Sequence, residues 1–336
     1  MEWILWRPPR AGLNETADLR IAALAVGAQL AHAASRVGTA SARLVPRIPM
    51  ALSTTALDPP AGAPAPSRPV AANSSSGRIH YWPGASLWIG RSDGRTQWHD
   101  HHAHQLSLAL DGQMRLRTQE AGPWRDFRAA FVRSHAKHQF EVDGARVAQL
   151  FVEPESRAGR ALVARHGGPG AVELPDAIAA PVRAALRDAL DRDADTPAMI
   201  AAGAGALALL CGASTEVADE LDPRLARALA HVQERIRHPV TLADAAAVAH
   251  LSGSRFRHLF VAETGCSFRA WLLWLRINVA IESACAGASW TEAAHEAGFA
   301  DSAHLSRTHK RMFGIEPTSI RHVDPTATAG AASAAR

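Results

Sequence analysis

Four histidines and a glutamine occur within seven residues of one another, in the segment WHDHHAHQ at residues 98–105. Imidazole nitrogens are good ligands for Zn, Fe, Ni or Cu, and they titrate close to neutral pH. In an extended strand, His99 and His101 point to one face while His102 and His104 point to the other. The segment therefore predicts a metal site, a partly exposed or pocket-lining set of histidines that meets an organic or anionic effector, or a pH sensor.

A second group of side chains suits the recognition of DNA. Cationic and hydrogen-bonding residues are concentrated in two short segments about fifty residues apart, and such side chains bind phosphates and base edges. The residues are Ser254, Arg255, Arg257 and His258 in the first segment, and Ser302, His304, Ser306, Arg307, Lys310 and Arg311 in the second.

Each of these segments falls on the second helix of a predicted helix-turn-helix unit. In the first unit, Thr241 and Asp244 form a capping-box pattern, and Gly265 stands where a helix ends. In the second unit, Asp301 is a predicted N-cap and Gly314 ends the helix. A single unit of this shape is weak evidence, because helical bundles that never touch DNA contain it too.

The spacer between the units strengthens the prediction. Residues 267–286 carry an apolar stripe at helical spacing, and a helix of about twenty residues is ~30 Å long. Successive major-groove faces of B-DNA are ~34 Å apart. The spacer could therefore hold two recognition helices about one DNA turn apart.

Residues 222–322 resemble the DNA-binding domain of AraC/XylS-type transcription regulators, most clearly in SGSRFRHLFVAETGCSFRAWLLWLRINVA and AGFADSAHLSRTHKRMFGIEPTSIR. The resemblance implies seven helices with two helix-turn-helix units. It also implies two base-facing surfaces, formed by Ser254, Arg257 and His258 and by Ser302, Ala303, His304 and Arg307. His309 stands where the family usually has an aromatic residue, so its polar atoms need partners if it is buried.

The histidine segment resembles the first motif of cupins, and the surrounding region predicts a β-barrel or sandwich. The predicted strands are ASLWIGR, LSLAL, MRLRT, AAFVRS and AQLFVE, within residues 78–154. The resemblance implies that His99, His101, Gln105 and His138 bind an effector or a divalent metal. Gln105 replaces the usual acid, which makes a weaker, neutral ligand. In this class of regulator, the resemblance implies a sensor barrel that has lost its catalytic metal.

Composition sets the broad class of protein. The chain has 336 residues and a formal net charge of +4, with an isoelectric point of about 9.5. Residues 222–322 contain twelve Lys/Arg against nine Asp/Glu, so this region is only mildly basic. The three cysteines, Cys211, Cys266 and Cys285, have no paired spacing and are interpreted as reduced, buried thiols. The sequence has no phosphate-binding glycine loop, no nucleophile elbow and no CxxC pair.

Length and composition predict the division into regions. We expect a low-complexity or disordered extension at 1–76, of which 1–49 is dispensable, and a cupin-like sensor at 77–160. A helical linker follows at 161–220, then the DNA-binding domain at 221–323 and a disordered tail at 324–336. The apolar segment 21–34 fits neither a signal peptide nor a membrane span. The helices predicted in the linker could form a dimer surface or pack on their own barrel.

The fold predicted is α+β: an N-terminal cupin-like β-barrel followed by an all-α domain with two helix-turn-helix units. The function predicted is a cytoplasmic, non-enzymatic, sequence-specific transcription regulator controlled by a small ligand. Its predicted partners are double-stranded operator DNA, a small-molecule effector, RNA polymerase and a second copy of the chain. No association with a membrane is predicted. One alternative is a metal-dependent cupin enzyme with a helical regulatory module, against which Gln105 argues. A protein-interaction module is the other, and the exposed arginines argue against it.

Overall fold

The computed structural model describes residues 73–212 and 221–322. Strands dominate the first range, here called the sheet part, and helices make up nearly all of the second, called the helical part. This is the α+β order that the sequence predicts. The strands are β1 (Ser74–Trp82), β2 (Ala85–Arg95), β3 (His104–Ala109), β4 (Met114–Arg117), β5 (Arg125–Phe127), β6 (Ala129–Val132), β7 (Gln139–Val152), β8 (Ala171–Glu173) and β9 (Ile320–His322).

Nine α-helices lie in these described ranges, three in the sheet part and six in the helical part. They are α1 (Arg157–His166), α2 (Asp176–Asp191), α3 (Thr196–Cys211), α4 (Pro223–Glu234), α5 (Leu242–Val248), α6 (Gly253–Thr264), α7 (Phe268–Cys285), α8 (Trp290–Glu296) and α9 (Ser302–Phe313). A 3₁₀ turn at Pro317–Ser319 connects α9 to β9.

The sheet is organised around the long strand β7. The strand order is β8-β6-β3-β7-β2-β1-β9, and β4 and β5 branch from the first part of β7. Residues 147–152 of β7 pair antiparallel with both β2 and β3, whereas residues 139–142 pair with β4. A register shift between Ser92 and Gly94 of β2 marks a local irregularity, which bends paired strands. The five strand segments predicted from the sequence coincide with β2, β3, β4, β6 and β7.

Alternating side chains give the sheet two different faces. On β2, Leu87 and Ile89 are fully buried in an apolar cluster with α2 and α3, while Ser86 and Trp88 line a cavity on the opposite side. Successive residues of a strand point to opposite faces, so the period-two pattern of β2 separates a packed face from a cavity face.

Helices α1–α3 cover the packed face. Val182 and Leu186 of α2 and Met199 and Leu210 of α3 are fully buried, in the same apolar cluster as Leu87 and Leu150 of the sheet. Burying each such side chain contributes about 1.5–3 kcal/mol. Of the two roles predicted for these helices, packing on their own sheet is the one observed.

The helical part is built around aromatic side chains. Phe256, Phe260, Phe268 and Trp271 are buried and in mutual contact. Both predicted units have the expected geometry, because α5 begins with the Thr241–Asp244 capping box and α8 with a second box formed by Ser289 and Glu292.

The C-caps also follow the sequence prediction. Gly265 ends α6 at φ 72° and Gly314 ends α9 at φ 70°, a left-handed conformation that favours glycine. Asp301 caps α9 by accepting the backbone N–H of His304.

The helical part contacts the cavity face of the sheet. Ala103 and Phe151 of the sheet part belong to the core of the helical part. The backbone N–H of Gln97 donates to the carbonyl of Gly314 at 2.7 Å, and β9 pairs in parallel with β1. The last strand of the helical part thereby completes the edge of the sheet.

None of the helices within the described ranges combines the length and the apolar character that crossing a bilayer requires. Several predictions fall on residues outside these ranges. They concern nearly all of the extension at 1–76, including segment 21–34, the end of the linker at 213–220, and the tail at 324–336.

Candidate nucleic-acid interface and ligand cavity

Helix α6 presents a polar face opposite its buried aromatic side chains. Phe256 and Phe260 point into the core, where they are fully buried. The four DNA-contact residues predicted on this helix are all exposed: Ser254, Arg255, Arg257 and His258. The structure therefore presents every member of the first predicted surface to solvent.

Helix α9 presents its predicted residues less uniformly. Arg307 and Arg311 are exposed, whereas Ser302, His304 and Ser306 are half-buried. The His304 ring packs edge-on against Phe299 at a centroid distance of 5.2 Å. Lys310 is half-buried and makes an ion pair of 2.6 Å with Glu316. The positive charge of Lys310 is therefore partly neutralised by a carboxylate of the same chain.

The exposed arginines of the two helices contrast with two paired arginines of the helical part, Arg224 and Arg237. Arg224 pairs with Asp222, and Arg237 pairs with Glu282 and Glu296. Within residues 73–212 and 221–322, no ion pair forms at the four exposed arginines of α6 and α9, which are Arg255, Arg257, Arg307 and Arg311. Their guanidinium groups are available for phosphates or for the O6 and N7 atoms of guanine.

The sheet brings together the residues implied by the cupin resemblance. We call His99, His101 and His138 with Gln105 the three-histidine cluster. The ligand nitrogens of its histidines lie within 4.8 Å of one another. Each Nδ1 lies 2.8–2.9 Å from a backbone carbonyl, and these carbonyls belong to Gln97, Ala103 and Ala136. Because a carbonyl oxygen only accepts, each Nδ1 carries the proton and each Nε2 keeps its lone pair.

Burial keeps these imidazoles neutral. All four histidines of residues 99–104 are at most 5% exposed, so the predicted alternative of partly exposed histidines does not hold. Burial lowers the pKa of His99 to about 3, helped by the neighbouring His101. Burial likewise lowers the pKa of His101 and of His138.

Gln105 faces this set of lone pairs with its side-chain oxygen. Its Oε1 lies 2.9 Å from His101 Nε2 and 3.3 Å from His138 Nε2. The Gln105 oxygen and the two Nε2 atoms are therefore all hydrogen-bond acceptors, and they face one another without a donor. A divalent cation between them would satisfy this arrangement, as would a 180° rotation of the amide that turns its NH₂ group toward the rings.

A second buried group joins the two parts, and sequence reasoning missed it. His102 Nε2 donates to Glu155 Oε2 at 2.8 Å, and His102 Nδ1 lies 3.4 Å from Cys266 Sγ in the α6–α7 connection. Trp271 of α7 donates to the other oxygen of Glu155 at 2.6 Å. No sequence motif links these residues, since His102 and Cys266 are 164 positions apart.

This group has unusual electrostatics. Burial alone would lower the pKa of His102, but the carboxylate of Glu155 outweighs it and raises that pKa to about 10. Burial would raise the pKa of the Cys266 thiol, but hydrogen bonds with His102 and His135 outweigh it and lower that pKa to about 7. The carboxylate of Glu155 thus raises the pKa of His102, while the neighbouring side chains lower the pKa of the Cys266 thiol.

A cavity of about 260 Å³ lies between the sheet and the helical part. The sheet contributes residues of β1, β2, β3 and β7, and the helical part contributes residues of α7, α8 and α9. Trp274 and Phe313 form part of the apolar wall of the cavity. Among the described residues that line the cavity, none is Lys, Arg, Asp or Glu. The polar lining is neutral: Asn73, Ser75, Ser86, Ser92, Thr96, His99, Gln105, Gln149, Asn278 and His309.

Two buried side chains of the helical part, Trp274 and His309, also line the cavity. Trp271 and Trp274 are buried, as expected of packing residues, but Trp274 also lines the cavity. His309 is 1% exposed, and its Nδ1 finds the partner it needs in the carbonyl of Ile315 at 3.0 Å. The apolar stripe of α7 gave no sign that part of it faces a cavity, because packing and cavity lining require the same side chains.

Comparison with known proteins identifies the helical part. Residues 245–322 match the family described as helix-turn-helix domain. No curated protein sequence matches the chain significantly. An apo ToxT variant from Vibrio cholerae is 12% identical, with 71% of this chain and 97% of that chain covered and a TM-score of 0.48.

Two further solved structures are similar. An unsaturated fatty acid-bound wild-type ToxT from Vibrio cholerae is 13% identical, with coverage of 73% of this chain and 92% of that chain and a TM-score of 0.41. A transcriptional regulator with an AraC-type DNA-binding domain, from Chromobacterium violaceum, is 26% identical. Coverage there is 29% of this chain and 87% of that chain, and the TM-score is 0.28.

The family match covers both helix-turn-helix units, from α5 to β9. Together with the motifs in the sequence, it makes the helical part an AraC-type helix-turn-helix domain. Residues 245–322 thus form a helix-turn-helix domain, as the sequence patterns predict.

Proposed function

We propose that this AraC-type regulator reads a specific operator through α6 and α9, and that a small molecule bound in the cavity controls the reading. Residues 77–160 would form the sensor, 161–220 the connecting helices and 221–323 the DNA reader. Double-stranded DNA and the small molecule are the principal partners. The proposal also includes RNA polymerase, a homodimer and a cytoplasmic location.

One observation carries the control by a ligand: the wall of the cavity comes from both parts of the chain. Ser86 and Gln149 belong to the sheet, while Asn278 and Phe313 belong to helices that support the two units. A ligand there would contact both parts at once. It could shift their arrangement only if it binds one arrangement better than another.

The lining also specifies the chemistry of the ligand. Apolar side chains such as Trp274, Ile281 and Phe313 form much of the wall, and the polar lining residues are neutral. A free carboxylate or phosphate would leave its charge without a cation, at a large desolvation cost. We therefore propose a neutral, mainly apolar molecule that hydrogen-bonds to amide and hydroxyl side chains.

The first experiment selects bound duplexes from a random pool at near-physiological salt. Enrichment of two sequence blocks about one helical turn apart would support DNA reading by both units. Neutral and anionic compounds are then compared by thermal shift and by their effect on the dissociation constant for the enriched duplex. If no duplex is enriched with or without compounds, the DNA-reading proposal fails.

A matched pair of variants locates the ligand. Ala284 is half-buried and lines the cavity, whereas Ala230 is exposed on α4. Ala284→Leu should abolish the ligand-dependent change in DNA affinity, and Ala230→Leu should preserve it. An undiminished ligand effect in Ala284→Leu would place the ligand elsewhere.

The three-histidine cluster supports a second candidate, a divalent metal ion next to this cavity. The supporting observation is the convergence of Nε2 lone pairs with Gln105 Oε1. His99, His101 and His138 would hold the ion, which would supply a Lewis-acidic contact for a ligand. Metal analysis tests it: His138→Ala should lose one equivalent relative to the wild type, and equal metal content would count against it.

A further inference from the structure

We propose that His102, His135 and Cys266 form a transition-metal site, suited to Zn²⁺, that links the sheet part to the helical part. We call these three residues the Cys–His cluster. It shares no residue with the three-histidine cluster and does not depend on a ligand in the cavity. Thiolate and imidazole are the usual protein ligands of Zn²⁺.

The first argument is distance. The three ligand atoms of the Cys–His cluster lie within 4.8 Å of one another, and Cys266 Sγ lies 3.4 Å from His102 Nδ1. Bond lengths of about 2.3 Å to sulfur and about 2.05 Å to nitrogen place these atoms ~3.6 Å apart in a tetrahedral site. The pair already has the separation that the metal requires.

The second argument is the partner of each histidine. A metal-bound imidazole nearly always donates its other N–H to a carboxylate, carbonyl or water. His102 donates Nε2–H to Glu155 at 2.8 Å, which leaves Nδ1 directed at Cys266. The carboxylate of Asp100 lies 3.7 Å from His135 Nδ1. His102 thus has a hydrogen-bonded carboxylate at the ring nitrogen that would not bind metal. For His135, metal binding through Nε2 would leave Nδ1 on the side of Asp100.

The third argument is the position of His135, whose backbone is held in place and whose side chain reaches solvent. This residue has φ 59°, in the left-handed region that L-residues seldom occupy, and its N–H donates to the carbonyl of His101 at 2.9 Å. Its side chain is 36% exposed, whereas Cys266 and His102 are buried. An ion therefore has a path from solvent, and a water can occupy the fourth position.

The site would join two elements that no covalent bond holds together. His102 and His135 come from loops of the sheet part, while Cys266 precedes α7, the helix that connects the two helix-turn-helix units. Trp271 of α7 also donates to Glu155. A bound ion would therefore fasten the first unit to the sheet, and its removal would loosen that contact.

Cobalt substitution tests the site in the full-length chain. Co²⁺ bound to a thiolate shows an intense sulfur-to-metal charge-transfer band, which histidine ligands alone do not give. We expect the metal-free wild-type protein to gain this band with one equivalent of Co²⁺, and Zn²⁺ to displace it. Cys266→Ser should abolish the band and weaken Zn²⁺ binding by about 100-fold or more, beyond the 10–100-fold expected of an outer partner such as Glu155.

Two sets of controls make the result specific. Cys211→Ser and Cys285→Ser change the other two cysteines and should keep the band, as should His138→Ala in the three-histidine cluster. Circular dichroism and the unfolding midpoint check that each variant is folded. Absence of the band in the wild type, its survival in Cys266→Ser, or Co²⁺ binding without thiolate character would each overturn the proposal.

Discussion

At the scale of single residues, the two recognition helices differ in how their cations are surrounded. Lys310 on α9 is paired with Glu316, whereas Arg307 on the same helix is exposed. An unpaired guanidinium can bind guanine with two hydrogen bonds, which gives about 1–3 kcal/mol of discrimination. Arg307 is therefore the residue of α9 on which we expect base selectivity to depend most.

We predict that Arg307→Ala relaxes selectivity at one position of the operator, by a factor of about 10–100. Competition binding on operators changed at single positions measures it. Arg227→Ala removes an arginine that is also exposed, but from α4, and should leave the ranking of operators unchanged. Should Arg307→Ala weaken binding to every sequence equally, Arg307 contacts phosphate instead.

His309 makes stability depend on pH. Burial lowers its pKa from 6.5 to about 4, so between these values the unfolded chain binds a proton that the folded chain does not. Through His309 alone, the free energy of unfolding is therefore constant well above pH 6.5 and falls by up to about 1.4 kcal/mol per pH unit as the pH decreases toward 4.

We predict that His309→Phe reduces this pH dependence by roughly one proton. Urea unfolding at about pH 7.5 and about pH 5 measures the slope. The variant loses the hydrogen bond with Ile315 at every pH, so the difference between the two pH values is the relevant quantity. Trp290→Phe, a change at a neighbouring ring that does not titrate, should retain the wild-type slope, and an unchanged slope in His309→Phe would contradict the assignment.

At the scale of elements, the first helix of each unit is only seven residues long. Helices this short are not stable alone, so their capping boxes and tertiary packing must hold them. The boxes at Thr241–Asp244 and Ser289–Glu292 satisfy backbone N–H groups that would otherwise lack partners.

We predict that Ser289→Ala lowers the free energy of unfolding by about 1 kcal/mol. Thr291→Ala is the matched control, because Thr291 is exposed on the same helix but does not cap it. Chemical denaturation compares the two. Equal stability of both variants would show that the Ser289 cap contributes nothing measurable.

At the scale of the whole molecule, the two C-cap glycines have different tasks. One only ends a helix, whereas the other also lets the helical part pack against the sheet part. Gly265 and Gly314 share the same left-handed conformation, but their surroundings differ. A Cβ at Gly265 would meet nothing within 4 Å, whereas a Cβ at Gly314 would lie 2.4 Å from the Gln97 carbonyl oxygen and 2.7 Å from His99 Nδ1. Only the second position lies against the sheet part.

We predict that Gly265→Ala costs about 1–2 kcal/mol, the penalty of a left-handed alanine, and that Gly314→Ala costs clearly more. Gly314→Ala should also change the proteolytic sensitivity of the connection between the two parts, because it displaces α9 from residues 97–99. Denaturation and limited proteolysis of the two variants test this. Similar costs would mean that the contact with the sheet is easily relaxed.

Sequence patterns predicted the helical part and its polar faces well, because capping residues, glycines and apolar periodicity act over a few positions. The strands and the three-histidine cluster followed from alternation and motif spacing. The Cys–His cluster, the cavity and the β1–β9 pair could not be predicted, since they depend on contacts between residues such as His102 and Cys266 that are far apart in the chain. The sequence predicts a DNA contact for Lys310. Its ion pair with Glu316 depends on the turn after Gly314, which the spacing of polar residues on the helix does not reveal.

The pairing of β1 with β9 also matters for biosynthesis. Residues 75–77 pair with β2 on one side and find the partner for their other side only at residues 320–322. At about 5–20 residues per second, a ribosome needs on the order of 12–50 s to synthesise the intervening stretch of about 240 residues. During that time the nascent chain carries an uncovered strand edge, which is a template for aggregation. We expect yields of the full-length protein to depend on chaperones that shield this edge until the final strand emerges.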